Sequence, residues 1–197
     1  MKRTVAIFGA SGGIGQATRA AFLDAGYSVI PVGRNLIDFA CADAEAQIQE
    51  FLGHSEPNVV INCVGKFVCN DEPAATTMNI NFNSNWAIVQ HYLKNPKAVR
   101  IIMIGSSAYK SGRKDYMVYS ASKAALHNLW QGARDAFADT ETCIDLVNPV
   151  RTRTPMVAPF DDQLDYLDPK EVAGWILQLD QCNDASRCID ITFKDAK

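Results

Sequence analysis

Residues Thr4 to Phe22 read TVAIFGASGGIGQATRAAF. Five residues without polar alternation, Thr4–Phe8, run straight into Gly9-Ala10-Ser11-Gly12-Gly13-Ile14-Gly15, and a helical pattern follows over Ile14–Ala25. Glycines permit the tight turn and let the backbone approach a pyrophosphate. The helix N-terminus then offers unpaired N–H groups and the positive end of its dipole. A glycine trio has this meaning only between a strand and a helix, as here; a Gly-rich structural turn is the other reading. Gly26 stands where a C-terminal glycine closes the helix.

Outward from this stretch, short apolar runs alternate with longer amphipathic ones to the end of the chain. Strands are expected at Thr4–Phe8, Ser28–Val32, Asn58–Val64, Val99–Ile104, Cys143–Val147 and Cys188–Phe193. Helices are expected at Ile14–Ala25, Asp43–Leu52, Thr77–Leu93, Met117–Phe137 and Pro169–Leu179. Apolar strands separated by helices predict an α/β fold with a parallel sheet buried on both faces. Asp43 can cap the second helix and Gly53 end it, and Pro169 after Asp168 suits a first helical position. Val150–Tyr166, rich in Pro, Asp and Thr, is the longest irregular stretch and a candidate lid.

The 197 residues are 48% hydrophobic and 21% charged, which suits one core, so residues 1–197 are read as a single domain. Nineteen Lys+Arg against 22 Asp+Glu give a formal charge of −3, and no basic field points to nucleic acid. No apolar run reaches the length of a membrane span. Met1-Lys2-Arg3-Thr4 and the residues after it resemble a leader peptide only as far as Gly9, where the apolar run stops. The six cysteines lie mostly in strand-like runs and are read as reduced thiols in a cytoplasmic protein. Cys63/Cys69 and Cys182/Cys188 lack metal-ligand spacing, and His54, His91 and His127 form no cluster, so no metal is expected. His91, Trp86 and Trp130 are read as packing or subunit-contact residues.

Tyr119-Ser120-Ala121-Ser122-Lys123 sets a phenol and an ammonium four residues apart, on one helix face. A nearby cation stabilises phenolate and draws a tyrosine pKa down from about 10. Such a tyrosine can donate a proton to a carbonyl oxygen as hydride arrives, or accept one in reverse. A solvated surface pair is the other reading. The strand before it ends in Gly105-Ser106-Ser107, at the carboxyl end where open parallel sheets bind ligands. A serine there can return to the same site and hydrogen-bond the substrate oxygen. Ser106 and Ser107 compete for that role, and a helix cap is the other use of Ser106.

The glycine spacing Gly-x-x-x-Gly-x-Gly at Gly9, Gly13 and Gly15 resembles the short-chain dehydrogenase/reductase family. Asn62-Cys63-Val64-Gly65 is similar to the family's Asn-Asn-Ala-Gly, with Cys63 and Val64 departing. Asn81-Phe82-Asn83-Ser84-Asn85-Trp86 is similar to its Asn-Leu-x-Gly segment, while a solvated polar face accounts for most other asparagines of that helix. Ser106, Tyr119 and Lys123 follow in the family's order, and their spacing favours Ser106 over Ser107. The resemblance implies a three-layer, doubly wound Rossmann-type sheet that binds a nicotinamide dinucleotide. It implies Asn81, Ser106, Tyr119 and Lys123 as catalytic residues, with Asn81 holding a water in a proton relay that reaches Lys123. Gly9, Ser11, Gly12, Gly13, Ile14, Gly15, Asn62 and Gly65 would bind the cofactor, with Tyr119 and Lys123 at its ribose. Family members associate through their two long central helices, so a homodimer or homotetramer is implied.

The second strand closes as Val32-Gly33-Arg34-Asn35. Gly33 stands where a carboxylate would hold a ribose 2′-hydroxyl, and Arg34 follows it, which favours NADP(H) over NAD(H). Asp38 resembles the family's adenine-contacting aspartate. After Cys143–Val147 the chain reads Asn148-Pro149-Val150-Arg151-Thr152-Arg153-Thr154-Pro155-Met156. Pro149 and Thr154 match the family's pattern near the nicotinamide carboxamide, and Val150 replaces its glycine. Arg151 and Arg153 suit phosphate or carboxylate oxygens of a substrate, or pair with Asp161, Asp162 or Asp165. The Arg-Thr-x-Thr-Pro-Met run also looks like reductase portions of CDP-ribitol-forming enzymes, which raises a small or phosphorylated ketone as substrate. The expected activity is carbonyl–alcohol interconversion; a non-catalytic NADP-binding sensor or regulator is the competing class. At 197 residues the chain is short for the family. The helix between strands two and three is expected to be reduced to a turn between Arg34 and Asp38, leaving one sheet edge thin.

Overall fold

The apolar runs sort by parity. In β1 (Thr4–Phe8), Val5 and Ile7 join one core cluster and Ala6 and Phe8 the other. β3 (Val59–Asn62) and β4 (Val99–Ile104) divide the same way, Ile61, Ile102 and Ile104 against Val60, Ile101 and Met103. Alternate side chains leave a strand on opposite faces, so a continuous apolar run is what a doubly covered sheet needs. The computed structural model describes residues 2–70, 73–157, 164–182 and 186–193. With β2 (Ser28–Val32), β5 (Thr142–Pro149) and β6 (Cys188–Ile191), the strands form one parallel sheet in the order β2-β1-β3-β4-β5-β6.

Helices α1 (Gly13–Asp24) and α6 (Pro169–Gln181) cover one face through Phe22, Val172, Ile176 and Leu179. On the other, α2 (Ala44–Ser55), α4 (Ser84–Lys94) and α5 (Met117–Ala136) bring Ile48, Leu52, Ile88, Tyr92, Leu126 and Trp130. This is the expected three-layer α/β architecture. Gly26, at φ +87°, takes the left-handed turn after α1. Asp168 accepts from Lys170 N at 2.8 Å and donates its own N–H to Glu171 Oε2 at 3.0 Å, a complete capping box with Pro169 at the first helical position.

Two helix boundaries differ from expectation. The Asp43 carboxylate accepts from Gln47 Nε2 at 2.8 Å and leaves the end of α2 uncapped by any side chain. α2 also continues through Gly53 to Ser55, and Glu56, at φ +40°, makes the left-handed exit. The single helix expected over Thr77–Leu93 is α3 (Ala74–Met78), a π-helical turn at Asn79–Asn83, and then α4.

The edge of the sheet is thin, but not for the expected reason: the helix between strands two and three is not reduced to a turn, and it is a strand outside β2 that the sheet lacks. From Gly33 to Asp43 the chain makes only turns, with Leu36 N and Ile37 N donating to Gly33 O at 2.9 and 3.1 Å. Ile37 and Phe39 are buried from this segment, Phe39 edge-on to Phe8. They fasten a turn where a doubly wound sheet of order 3-2-1-4-5-6 has a further strand outside strand two. The helix between this chain's own β2 and β3, α2, is a full 12 residues. β2 is therefore the edge, and Pro31 within it has no N–H to offer an added strand.

The amino ends of the strands carry a part-buried ionic cluster. Asp180 on α6 receives both terminal nitrogens of Arg3 at 2.9 and 3.0 Å and the Tyr27 hydroxyl at 2.6 Å. Arg100 on β4 pairs with the fully buried Asp145 of β5. At the opposite, carboxyl ends the strand order reverses between β1 and β3, the place where such sheets bind ligands.

Candidate functional site

At the carboxyl end of β1 the glycines answer to geometry. Gly9 holds φ +73°, and a Cβ there would lie 2.9 Å from the Cys63 carbonyl carbon and the Val64 nitrogen. A Cβ on Gly15 would collide with the Gly9 carbonyl oxygen. Gly12 N donates to that same oxygen at 3.0 Å, closing the turn. Helix α1 starts at Gly13 with no side-chain cap and no acidic residue in its first turn. Its positive end is thus left unneutralised, which fits a pyrophosphate. Thr154 lies against Gly13, where a Cβ would come within 2.6 Å of its Cγ2. Ser11 is exposed on the turn, and Ile14 packs against the α1–α6 core.

Farther along the crevice, Arg34 is exposed, with no ion pair among the described residues. Asp38 is exposed between the buried Ile37 and Phe39, and its Oδ1 accepts from Ala40 N at 3.1 Å.

The carboxyl end of β3 is tied to the helices by asparagines. Asn62 donates to Ser84 Oγ at 3.1 Å and Asn85 Oδ1 at 2.9 Å, and accepts from Val64 N at 3.0 Å. Asn81, in the π-turn, accepts from Lys66 N at 2.8 Å and donates to Lys66 O and Ser122 Oγ, both at 3.0 Å. Asn85 donates to Asn81 O at 3.0 Å. Asn85 and Ser84 are therefore buried members of the site, not part of a solvated helix face. Asn81 and Asn85 are four residues apart, a same-face spacing that could have flagged the pair. Gly65 marks the point of convergence: a Cβ there would stand 3.8 Å from Asn81 Oδ1 and 3.9 Å from both Lys123 Nζ and Met156 Cε.

Tyr119 and Lys123 share one face of α5, with Nζ 5.9 Å from the phenol ring centroid. Lys123 is 4% exposed, and its ammonium donates to Ile104 O at 2.9 Å. Burial draws its pKa down to about 8, against a small opposing effect of Cys63. Burial likewise lifts the Cys63 thiol to about 12. Tyr119 differs from the electrostatic expectation: burial holds it above its ordinary value, the Ser106 side chain lowers it, and Tyr116 raises it. The phenol sits among aromatic rings, Phe67 at 4.8 Å and Tyr116 at 6.0 Å between centroids. Phe67 and Tyr116 carry no motif, and only the fold brings them here.

Ser106 serves in two ways. Its Oγ caps the short 3₁₀ turn Ser107–Lys110 by accepting from Ala108 N at 3.2 Å, and its presence draws the Tyr119 pKa downward against burial. Asn148 holds its backbone from below, Oδ1 accepting from Ser106 N at 3.2 Å. Pro149 ends β5, paired with Ile191.

Arg151 and Arg153 are exposed, on either side of the buried Thr152, which bridges to Leu167. The Arg151 guanidinium lies 5.7 Å from the Phe193 ring centre and donates to the Asp165 backbone carbonyl at 3.4 Å. Arg153 lies 5.3 Å from the Tyr166 ring centre. Asp161 and Asp162 fall outside the described residues, as does the middle of the candidate lid Val150–Tyr166. Among the described residues no helix is long and apolar enough to cross a membrane.

Known proteins resemble this chain in sequence or in fold. A bifunctional ribulose 5-phosphate reductase/CDP-ribitol pyrophosphorylase of Haemophilus influenzae is 32% identical over 130 residues, 63% of this chain and 27% of that protein. The chain thus spans only about a quarter of that relative's length. An uncharacterised oxidoreductase of Staphylococcus epidermidis is 25% identical over 191 residues, 81% of this chain and 82% of its own. In fold, the chain is similar to a short chain dehydrogenase of Burkholderia cenocepacia in complex with NADP, with a TM-score of 0.78 at 19% identity over 95% of this chain and 88% of the other. It is equally similar to a 3-alpha-hydroxysteroid dehydrogenase of a Pseudomonas species complexed with NADH, with a TM-score of 0.79 at 17% identity over 95% of each chain. Residues 56–165, more than half of the sequence and most of the crevice, match the family described as short chain dehydrogenase. The chain belongs to the short-chain dehydrogenase family.

Proposed function

We propose that the protein interconverts a carbonyl and an alcohol by hydride transfer with NADP(H), using Ser106, Tyr119, Lys123 and Asn81. The observation that carries this reading is the Tyr119–Lys123 pair on one face of α5, its buried ammonium 5.9 Å from the phenol ring centre and paired with no carboxylate among the described residues. When bound, the dinucleotide supplies the hydride. Gly12, Gly13 and Ile14 would hold its pyrophosphate at the α1 N-terminus, and Asn62 and Gly65 would line its path. Thr154 would face the carboxamide, with Pro149 setting the exit of β5. Ser106 Oγ donates to the substrate oxygen and orients it. As that oxygen gains electron density, Tyr119 Oη passes its proton to it, giving the alcohol and a phenolate. Lys123 stabilises the phenolate, and the phenol is restored by a proton from solvent. Asn81 ties Lys66, after β3, to Ser122 on the helix that carries Tyr119 and Lys123.

Preference for NADP(H) is supported by Gly33 and by the exposed Arg34. A phosphorylated ketone as substrate is supported by the exposed Arg151 and Arg153 beside the Phe193 and Tyr166 rings, and by the likeness to the Haemophilus ribulose 5-phosphate reductase/CDP-ribitol pyrophosphorylase. Association of two or four copies belongs to the same proposal. The test is a panel of ketones and aldehydes with NADPH, ribulose 5-phosphate among them, run beside Tyr119→Phe. Turnover that the substitution leaves intact removes the mechanism. Arg151→Ala should raise KM for the phosphorylated ketone much more than for its dephosphorylated form, and equal effects remove the substrate assignment.

A further inference from the structure

We propose that Asn148 is a positioning residue for Ser106, itself held by Cys188 on the far edge strand. The inference rests on the catalytic reading of Ser106 given above. The β4–β5 pairing runs to Ile104 and Val147, and Gly105 N makes one more rung to Val147 O at 2.7 Å. There the ladder stops. Two residues past the end of β4, the Ser106 N–H donates to a side chain: Asn148 Oδ1 at 3.2 Å. Asn148 is 1% exposed, and the amide fits because residue 105 is glycine; a Cβ there would collide with Asn148 Oδ1.

An amide can flip or rotate unless both ends are engaged. The other end, Nδ2, donates to Cys188 Sγ at 3.2 Å, so β6 fixes which way Asn148 points. Cys188 and Asp190 lie two apart on β6, hence on one face of the strand. Asp190 Oδ2 accepts from Tyr109 Oη at 3.3 Å and pairs with Lys110 Nζ at 2.6 Å. Tyr109 and Lys110 close the 3₁₀ turn that Ser106 caps. The tyrosine ring in turn stacks on His127, at 4.2 Å and 6° between planes, one turn beyond Lys123 on α5. The serine segment is thus fastened before and after Ser106 by side chains that never reach the substrate. Misplacement of a reacting group by about an ångström costs on the order of a hundredfold in rate.

Two measurements on the purified, full chain test this. The first titrates the Tyr119 phenol, taken as the ultraviolet difference between wild type and Tyr119→Phe, and needs no turnover. Ser106→Ala should raise that pKa by removing a neighbour that lowers it, Asn148→Ala should raise it likewise, and the double variant should match Ser106→Ala alone. The second is NADPH-dependent reduction of ribulose 5-phosphate. Asn148→Ala should lower kcat about ten- to a hundredfold with KM within about threefold, and add nothing on top of Ser106→Ala. If Asn148→Ala does not fold, Cys188→Ala takes its place, with a smaller effect in the same direction and rescue by Cys188→Ser, which keeps an acceptor. A phenol that titrates as in wild type in these variants, or effects that add to those of Ser106→Ala, overturns the proposal. Should Ser106→Ala leave turnover unchanged, the catalytic reading fails while the titration still decides the positioning.

Discussion

Lys123 offers a direct measurement of what the site costs the fold. Its ammonium is 4% exposed, no carboxylate pairs with it among the described residues, and its one hydrogen bond goes to a backbone carbonyl. Removal from water disfavours the charged form and lowers its pKa from the ordinary 10.5 to about 8. The folded chain therefore binds fewer protons here than the unfolded chain between those two values. The penalty is largest below pH 8 and fades as pH rises toward 10.5. At about 1.4 kcal/mol per pKa unit it amounts to about 3 kcal/mol near pH 7 and about 1 kcal/mol near pH 9.5. Lys123→Met removes the charge and keeps the length of the side chain. Urea unfolding of the cofactor-free protein at both pH values gives its stability relative to wild type. That relative stability should fall by about 2 kcal/mol from the lower pH to the higher, with unchanged m-values. The lost bond to Ile104 O shifts both points alike and drops out. Parallel pH dependence of the two proteins would refute an uncompensated ammonium at this position.

Other outcomes follow from the same geometry. Asp180→Ala leaves Arg3, Tyr27 and Arg100 without their shared carboxylate and should cost about 3 kcal/mol, read as a lower urea midpoint. Gly15→Ala drives a methyl into the Gly9 carbonyl and should abolish NADPH binding by fluorescence titration. Gly132→Ala, with nothing within 4 Å of the new Cβ inside α5, should instead stabilise the protein by about 0.5–1 kcal/mol in thermal unfolding. Arg34→Ala should weaken NADPH at least about tenfold and leave NADH unchanged, because only the former carries a 2′-phosphate.

Most of the fold was legible because its signals are local. Apolar runs of strand length, Gly26 after a helix and Asp168-Pro169 before one each act over a few residues, and each sits where expected. Tyr119 and Lys123 were legible for the same reason, since helical spacing alone puts them on one face. What escaped depends on pairing between distant segments. Asn148 matters because the β4–β5 pairing ends at Val147, and no pattern in either strand records where a ladder ends. Asn85 reads as one more polar residue in a polar run until Asn62 is brought beneath it. The short length was read as a reduced helix between strands two and three, whereas that helix is complete and the shortfall lies at the sheet edge. The alternation Ile37-Asp38-Phe39 would suit a strand as well as a turn, and only the sheet order decides between them.

The π-turn at Asn79–Asn83 ties the site to the core through helical phase. Each residue of an α-helix advances the chain by about 100° around its axis, and a π-turn absorbs one residue beyond what a regular helix would hold there. Remove that residue and α4 must rotate by the same angle relative to α3. Ala87, Ile88 and Tyr92, now within the core, would swing away from the sheet and β3 would lose its cover. Asn81 would leave Lys66 and Ser122 in the same motion. The register that aims an asparagine into the crevice and the register that buries Tyr92 three turns on are one setting, so neither can drift without the other.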